Sequence, residues 1–422
     1  MDKPTPKIRH PFTGYQKFVI ALLAFLQFTI ILDFMILSPL GALLMPALKI
    51  TPGQFGTVVS AYAISAAVSG LLTAGFADKF DRKKLLLFFY VGFIIGTLLC
   101  GIAPSYEFLL GARIVTGLFG GVIGSIVFAI MTDLFPLHQR GRVMGLLQTA
   151  FAASQVLGLP AGLYLSNLWG WHMPFIMIVA VSSLAGVFIV YYLKPIDEHL
   201  KLQVDKKAYE HLLHTLNEPH YLLSFATTAL LSLGGFMIMP FSSAFTVNNL
   251  GIHQDQLPTI YLITGAASIL IGPLVGKASD RFGKFRTFIF GSFLGMLMVV
   301  IYTHLGITPL PMVILVNTVM FIGIFSRMIP SQALMSAIPS PANRGAFMSV
   351  GSSLQQLAGG IGSIVSGMIV VQESSGMIRH FEVVGYVMCG LSAITLVMMY
   401  FINRFAHQPP PTNGMPEVAH GT

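Results

Sequence analysis

Long apolar runs alternate with short polar breaks along almost the whole chain, twelve times over. The runs fall at about 18–42, 54–76, 85–104, 108–131, 143–166, 173–193, 220–247, 257–278, 287–304, 310–333, 346–371 and 379–402. Each is close to the roughly 20 residues that carry an α-helix across a bilayer. One break is longer than the others. It runs from Lys194 to about Pro219, and its apolar residues are spaced as on an amphipathic helix. The pattern predicts an all-α membrane protein: a six-helix half over 1–193, a linker over 194–219, a second six-helix half over 220–402, and a polar, Pro-rich, disordered tail over 403–422.

Composition agrees. Of the 422 residues, 55% are hydrophobic and 9% charged, against about 25% charged in a soluble domain. So few charges cannot cover an aqueous surface, so lipid is the partner that most of the chain needs. The first run follows a basic start (Lys3, Lys7, Arg9, Lys17). It is too long for a signal-peptide core and no small-residue cleavage site clearly follows it, so it is expected to stay as the first helix. The formal net charge of +8 is a matter of topology rather than of nucleic acid. All but four of the 24 Lys and Arg lie in the N-terminal segment, the even-numbered loops or the tail; Lys49 and Arg379 lie in odd-numbered loops, Arg113 and Arg327 within runs. That bias places both termini in the cytoplasm.

Several chemistries lack support. Cys100 and Cys389 both fall inside predicted helices, which implies neither a disulfide framework nor a metal cluster. Glu210, His211 and His214 read as a solvated linker face rather than a metal site. There is no G-x-x-x-x-G-K-[ST] phosphate loop and no H-E-x-x-H zinc motif. An enzyme, an ATP-driven pump and a cofactor are therefore not expected.

The two halves repeat each other. Asp78, Lys79, Phe80 and Arg82, between the second and third runs, match Asp280, Arg281, Phe282 and Lys284 at one offset of 202. Phe34-Met35-Ile36 matches Phe236-Met237-Ile238 at the same offset, and Gly70 matches Gly272. Arg140-Gly141 and Met144 match Arg344-Gly345 and Met348 at 204. Two parallel six-helix repeats are a known plan for secondary transporters.

These residues resemble the major facilitator superfamily, whose signature after the second helix is G-x-x-x-D-R-x-G-R-R/K. The second copy fits it with Gly276, Asp280, Arg281, Gly283 and Lys284. The first departs, with Ala74 at the first glycine position and Asp81 at the second. Arg113, Gly117, Gly120 and Gly121 resemble the family's arginine–glycine motif in helix 4. Gly158, Leu159, Pro160, Ala161 and Gly162 resemble the G-P-x-x-G-G helix-packing motif of proton-coupled antiporters, with the proline displaced by one. The chain is most similar to bacterial drug/proton antiporters and arabinose-efflux-like permeases. That resemblance implies a multi-pass protein of the bacterial cytoplasmic membrane, acting as a monomer by alternating access. It also implies that Asp78, Arg82 and Asp133 latch the cytoplasmic side, with Asp280, Arg281 and Lys284 as a second latch. Gly158, Pro160 and Gly162 would pack and kink helix 5.

Embedded polar residues are the candidates for chemistry. Asp33 lies about 15 residues into the first run, roughly 22 Å along a helix. A carboxylate at that depth costs about 2.5–3.5 kcal/mol on an insertion scale and marks a functional position by default. It is the expected proton carrier. Arg113 and Arg327 must face the bundle interior or water, and either could hold an anionic solute or compete with the proton on Asp33. Gln27, Gln148, Gln155, Gln355 and Gln356 are interhelical hydrogen bonds by default, worth about 0.6 kcal/mol each, with Gln148, Gln355 and Gln356 as candidates to meet solute. Trp169 and Trp171 read as interfacial anchors.

The reading that follows is a proton-coupled exporter of a small, partly apolar solute, whose partners are the solute, protons and the bilayer. Three alternatives stay open: an uptake symporter for an anionic metabolite, a lipid or lysolipid exporter, and a non-transporting solute sensor. The sequence leaves open which arginine meets Asp33, and what the solute is.

Overall fold

The computed structural model of the protein describes residues 12–73, 79–197, 200, 219–339 and 344–406. Twelve long helices follow the twelve runs: α1 Gly14–Ile36, α2 Pro52–Thr73, α3 Arg82–Gly101, α4 Tyr106–Leu134, α5 Leu137–Trp169 with a π-helical turn at Ser154–Gly158, α6 Met173–Tyr192, α7 Pro219–Ile238, α8 Leu257–Phe282, α9 Lys284–Thr303, α10 Leu310–Met335, α11 Arg344–Ile369 and α12 Phe381–Ala406. Eleven are long and apolar enough to cross a membrane. The exception is α11, which is 26 residues long but carries Ser349, Ser352, Ser353, Gln355 and Gln356 along its first half. Between α11 and α12 lies a small antiparallel hairpin, β1 Val371–Gln372 and β2 Ile378–Arg379.

Hydropathy misplaces one kind of boundary. The first and seventh runs extend to about 42 and 247, yet α1 stops at Ile36 and α7 at Ile238. Pro39 and Pro240 explain it, because each lacks the N–H that a continuing helix requires. After each break the chain resumes as a short helix, Gly41–Leu48 and Ser242–Asn248. These segments meet across the two halves: Ser243 Oγ donates to the Ser38 carbonyl at 3.0 Å, and the rings of Phe55 and Phe241 lie 5.9 Å apart. The end of the bundle opposite the α2–α3 and α8–α9 hairpins is sealed in this way.

The halves touch along two seams that behave differently. The α2/α11 seam is closed from end to end. A Cβ on Gly367 would lie 2.9 Å from the Pro52 carbonyl, one on Gly360 3.3 Å from the Ser60 carbonyl, and one on Gly70 3.5 Å from Ser353 Oγ. At the hairpin end Leu71 packs on Tyr221, Phe225, Phe347 and Val350. The α5/α8 seam is closed over only part of its length. Asn167 Nδ2 donates to the Gln254 carbonyl at 3.2 Å, Gly265 abuts the Gln155 backbone, and Ser268 Oγ donates to Gln155 Oε1 at 3.1 Å. One and two turns further toward the hairpins, on the same face of α8, Gly272 and Gly276 would meet no described atom within 4 Å, and neither would Gly145 on α5. The molecule is shut at the far end and parted at the hairpin end.

Candidate functional site

Four helices of the first half converge on one buried ion pair. Asp33 of α1 is 0% exposed and Arg113 of α4 is 1% exposed. Arg113 Nη1 donates to Asp33 Oδ2 at 2.8 Å and lies 3.5 Å from the Asp33 carbonyl oxygen. The other carboxylate oxygen, Oδ1, accepts from Thr97 Oγ1 of α3 at 3.2 Å. Tyr62 of α2 places its ring 4.6 Å from the guanidinium carbon, a cation–π contact. Of the two arginines, Arg113 is the one that meets Asp33.

The arginine–glycine motif explains the geometry. A Cβ on Gly117 would overlap the Tyr62 carbonyl, and one on Gly121 would lie 2.5 Å from Ala66 Cα. Glycine at these positions lets α4 press against α2, which brings Tyr62 over Arg113. On α3, a Cβ at Gly96 would lie 2.7 Å from Thr116 Oγ1, so this contact sets Thr97 beside Asp33. The pair is well enclosed but not fully bonded. Arg113 Nε is buried with no hydrogen-bond partner, and the salt bridge is single rather than forked. Desolvation of two charges is repaid only when geometry is excellent and spare donors are satisfied. The fold therefore holds an ion pair that is weak evidence for stability and stronger evidence for use.

An aromatic layer separates the pair from the other half. The ring of Phe34 lies 5.4 Å from that of Tyr62 and 5.5 Å from that of Phe236. Phe34 and Phe236 are equivalent positions of the repeat, and their tilted rings meet across the pseudo-twofold.

The other embedded candidates are scattered. Arg327 sits in α10 against Gly295 of α9. It is half-buried, its Nε has no hydrogen-bond partner, and no carboxylate among the described residues pairs with it. Gln355 is exposed and Gln356 half-buried on α11. The side chain of Gln148 lies outside the described residues.

At the hairpin end, Arg82 Nε meets Asp133 Oδ2 at 3.0 Å, joining α3 to α4. Asp78 lies outside the described residues. Asp81, the departure from the family signature, has two partners: Oδ1 accepts from the Lys84 N–H at 2.9 Å as the N-cap of α3, and Oδ2 accepts from the Ile196 N–H at 3.1 Å. The chain leaving α6 is thus tied to the first hairpin. Asp280, Arg281 and Lys284 make no ion pair with described residues in this conformation. Arg281 instead lies over its neighbour Phe282.

In α5, Gly158 and Gly162 pack on α1. A Cβ there would come within 2.7 Å of Leu32 and 2.8 Å of Ile36. Pro160 cannot donate to a carbonyl one turn back, and the π-helical turn just before it shifts the register so that the Leu159 N–H bonds to the Ser154 carbonyl. That turn points Gln155 at Ser268 of the other half. Sequence reading missed Thr97 and Tyr62 as parts of the site. Neither stands out among the hydroxyls and aromatics of apolar helices.

Known proteins resemble this one along its length. An uncharacterised MFS-type transporter of Bacillus subtilis, YceJ, is 27% identical over 377 residues, 88% of this chain and 92% of its own. Multidrug resistance protein 3 of the same organism is 33% identical over 152 residues, 36% of this chain and 30% of its own. The solved structure of a D-xylose–proton symporter shares the fold with a TM-score of 0.72 at 18% identity, covering 92% of this chain and 98% of the other. The family model described as Major Facilitator Superfamily matches residues 23–329 and 224–419, and the chain, a multi-pass membrane transporter, belongs to that superfamily.

Proposed function

We propose that the protein exports a small, partly apolar solute in exchange for protons, with Asp33 as the proton carrier and Arg113 as its competing counter-ion. One observation carries this reading: an aspartate and an arginine, both sealed from solvent inside the helix bundle, joined at 2.8 Å and left with an unpartnered guanidinium nitrogen. A pair used only to fasten helices would be better served by a fork of two bonds. Here the second oxygen faces a neutral threonine, which tolerates either charge state of the carboxyl.

The cycle runs as follows. With the hairpin side open, Asp33 is ionised and paired with Arg113, and solute enters between the halves. Reorientation opens the far side, where a proton reaches Asp33 and releases Arg113, while solute leaves. Return to the hairpin side discharges the proton and the pair re-forms. Phe34, next to Asp33 in sequence and in tilted contact with the Phe236 ring, links the state of the carboxyl to the contact between halves. One charge crossing 100 mV yields about 2.3 kcal/mol, which at about 1.4 kcal/mol per tenfold supports roughly a 40-fold solute gradient. In this reading the hairpins and both termini lie in the cytoplasm of a bacterial cell, Arg82 and Asp133 brace the cytoplasmic side, and one chain is the working unit.

The test is transport by proteoliposomes under an imposed pH gradient, with a panel of amphipathic solutes. Wild type should move at least one of them against its gradient with matching proton flux, and Asp33→Asn should not. Undiminished gradient-driven flux in the variant would remove Asp33 as the carrier. Proton flux unlinked to any solute would remove the exchange itself.

A further inference from the structure

The opening at the hairpin end is one-sided. Along α2/α11 the halves stay in contact to the last turn, with Leu71 packed on Tyr221, Phe225, Phe347 and Val350. Along α5/α8 the contact thins beyond the Gln155–Ser268 hydrogen bond, and there Gly145, Gly272 and Gly276 would meet no described atom within 4 Å. A gap confined to one seam between two membrane helices faces the lipid of the hairpin-side leaflet as well as the water beyond it.

What the gap leads to is polar. On one face of α11, Ser352 and Gln355 are exposed in the hairpin half, with Ser349 and the apolar Met348 exposed beside them. The same face is filled further along. Gly359 lies against the Phe236 ring, and Ser366 Oγ donates to the Met237 carbonyl at 2.6 Å. The lipid-facing residues of α11, Leu357, Ile361 and Met368, are apolar. The exposed hydroxyls and amide therefore face the space between the halves, and the embedded pair Asp33 and Arg113 is sealed away from it. A wall of neutral hydrogen-bonding groups reached through an apolar slot suits a molecule with a flexible apolar chain and an uncharged, hydroxyl-bearing head.

We propose that solute reaches this space sideways from the hairpin-side leaflet, between α5 and α8, and that the natural substrates are single-chain amphiphiles of that kind. The proposal rests on the exporter reading for direction, but the route stands or falls separately. The slot admits the chain without stripping it from lipid, while Ser349, Ser352 and Gln355 replace the water lost by the head. The closed α2/α11 seam excludes the symmetrical entrance.

The experiment uses the full-length protein in bilayers with a photoactivatable monoacylglycerol, its reactive group near the head, and maps labelled residues by mass spectrometry. Labelling is expected at Gln355 and at the exposed residues Thr149 of α5 and Ile269 of α8. Gly272→Trp with Gly276→Trp fills the slot where an added side chain has space, and should lower Gln355 labelling by about tenfold, which is about 1.4 kcal/mol of added barrier. Gly111→Trp, at a site equally open but remote from the slot, should not. Labelling of lipid-facing Leu357 should persist in all variants and reports that the fold is intact. Labelling of Leu357 without Gln355 in wild type overturns the proposal, as does Gln355 labelling that survives both tryptophans. Neither result touches the proton chemistry, whereas loss of proton coupling in Asp33→Asn leaves labelling as it was.

Discussion

The two halves of the molecule share one plan and bury charge in opposite ways. In the first half, Asp33 and Arg113 are enclosed by four helices and bonded to each other and to Thr97. At the offset of 202 the second half has Gly235 opposite Asp33 and Leu315 opposite Arg113. Its embedded cation, Arg327, is half-buried and faces a glycine, and the equivalent position in the first half is Ser125. The hairpins differ in the same sense: Arg82 has Asp133, whereas Arg281 and Lys284 make no ion pair with described residues. Duplication preserved the parts that must move as rigid bodies. The buried carboxylate–guanidinium pair is present once, in the first half only.

The largest expected effect tests that asymmetry directly. Arg113→Leu leaves a buried aspartate without its partner, and removing one member of such a pair costs about 3–5 kcal/mol. Asp33→Leu with Arg113→Leu together removes both charges and is expected to be neutral or stabilising by about 1–4 kcal/mol, with gradient-driven transport abolished. Arg327→Leu removes a donor already unsatisfied, whose burial costs about 1–3 kcal/mol, so it should unfold no earlier than wild type. Thermal unfolding in one detergent separates the three. Equal losses for Arg113→Leu and Arg327→Leu would mean that the halves do not differ in how they hold charge.

A smaller effect distinguishes the hairpins. Arg82 is 5% exposed and its bond to Asp133 joins two helices, so Arg82→Gln forfeits a charged hydrogen bond of about 1.5–3 kcal/mol. Transport should fall by about tenfold or more at about 1.4 kcal/mol per decade. Arg281→Gln, on an exposed residue, should stay within about 0.5 kcal/mol of wild type and change transport little. Initial rates in inside-out vesicles decide it. Comparable losses would show that the second hairpin forms its own latch in another state of the cycle.

Much of this was legible in the sequence, and the remainder was hidden for identifiable reasons. Twelve apolar runs and the offset of 202 carry the fold, because lipid imposes length and duplication leaves aligned residues. The breaks at Pro39 and Pro240 were written in the chain too, but hydropathy passes over proline while the helix cannot. Asp33 stood out by its cost in hydrocarbon. Its pairing with Arg113 did not, since contact across 80 positions is set by how closely Gly117 and Gly121 let α4 approach α2. Asp81 looked like a flaw in a signature when measured against a motif. As an aspartate just before a helix it is an ordinary N-cap, and its second bond, to Ile196, depends on where α6 ends in space. The half-open α5/α8 seam is a property of the state rather than of the composition, and no residue count could reveal it.

The smallest expected effect concerns the point where that seam parts. Gln155 and Ser268 are buried and bonded across the halves at 3.1 Å, and intramembrane hydrogen bonds of this kind average about 0.6 kcal/mol with a maximum near 1.7. Losing one shifts a two-state balance by about threefold on average. Gln155→Leu should therefore move the population away from the hairpin-open state without destroying transport. Ser268→Ala should move it equally, and the double variant no further, since both substitutions remove one bond. Spin labels at Asn167 and Gln254, which touch in this state, report the balance as a distance distribution: a longer component should grow in each variant. If the double variant shifts by the sum of the singles, the two residues act through separate contacts, and the stopping point of the seam is set by the packing of Gly265 on the π-helical turn instead.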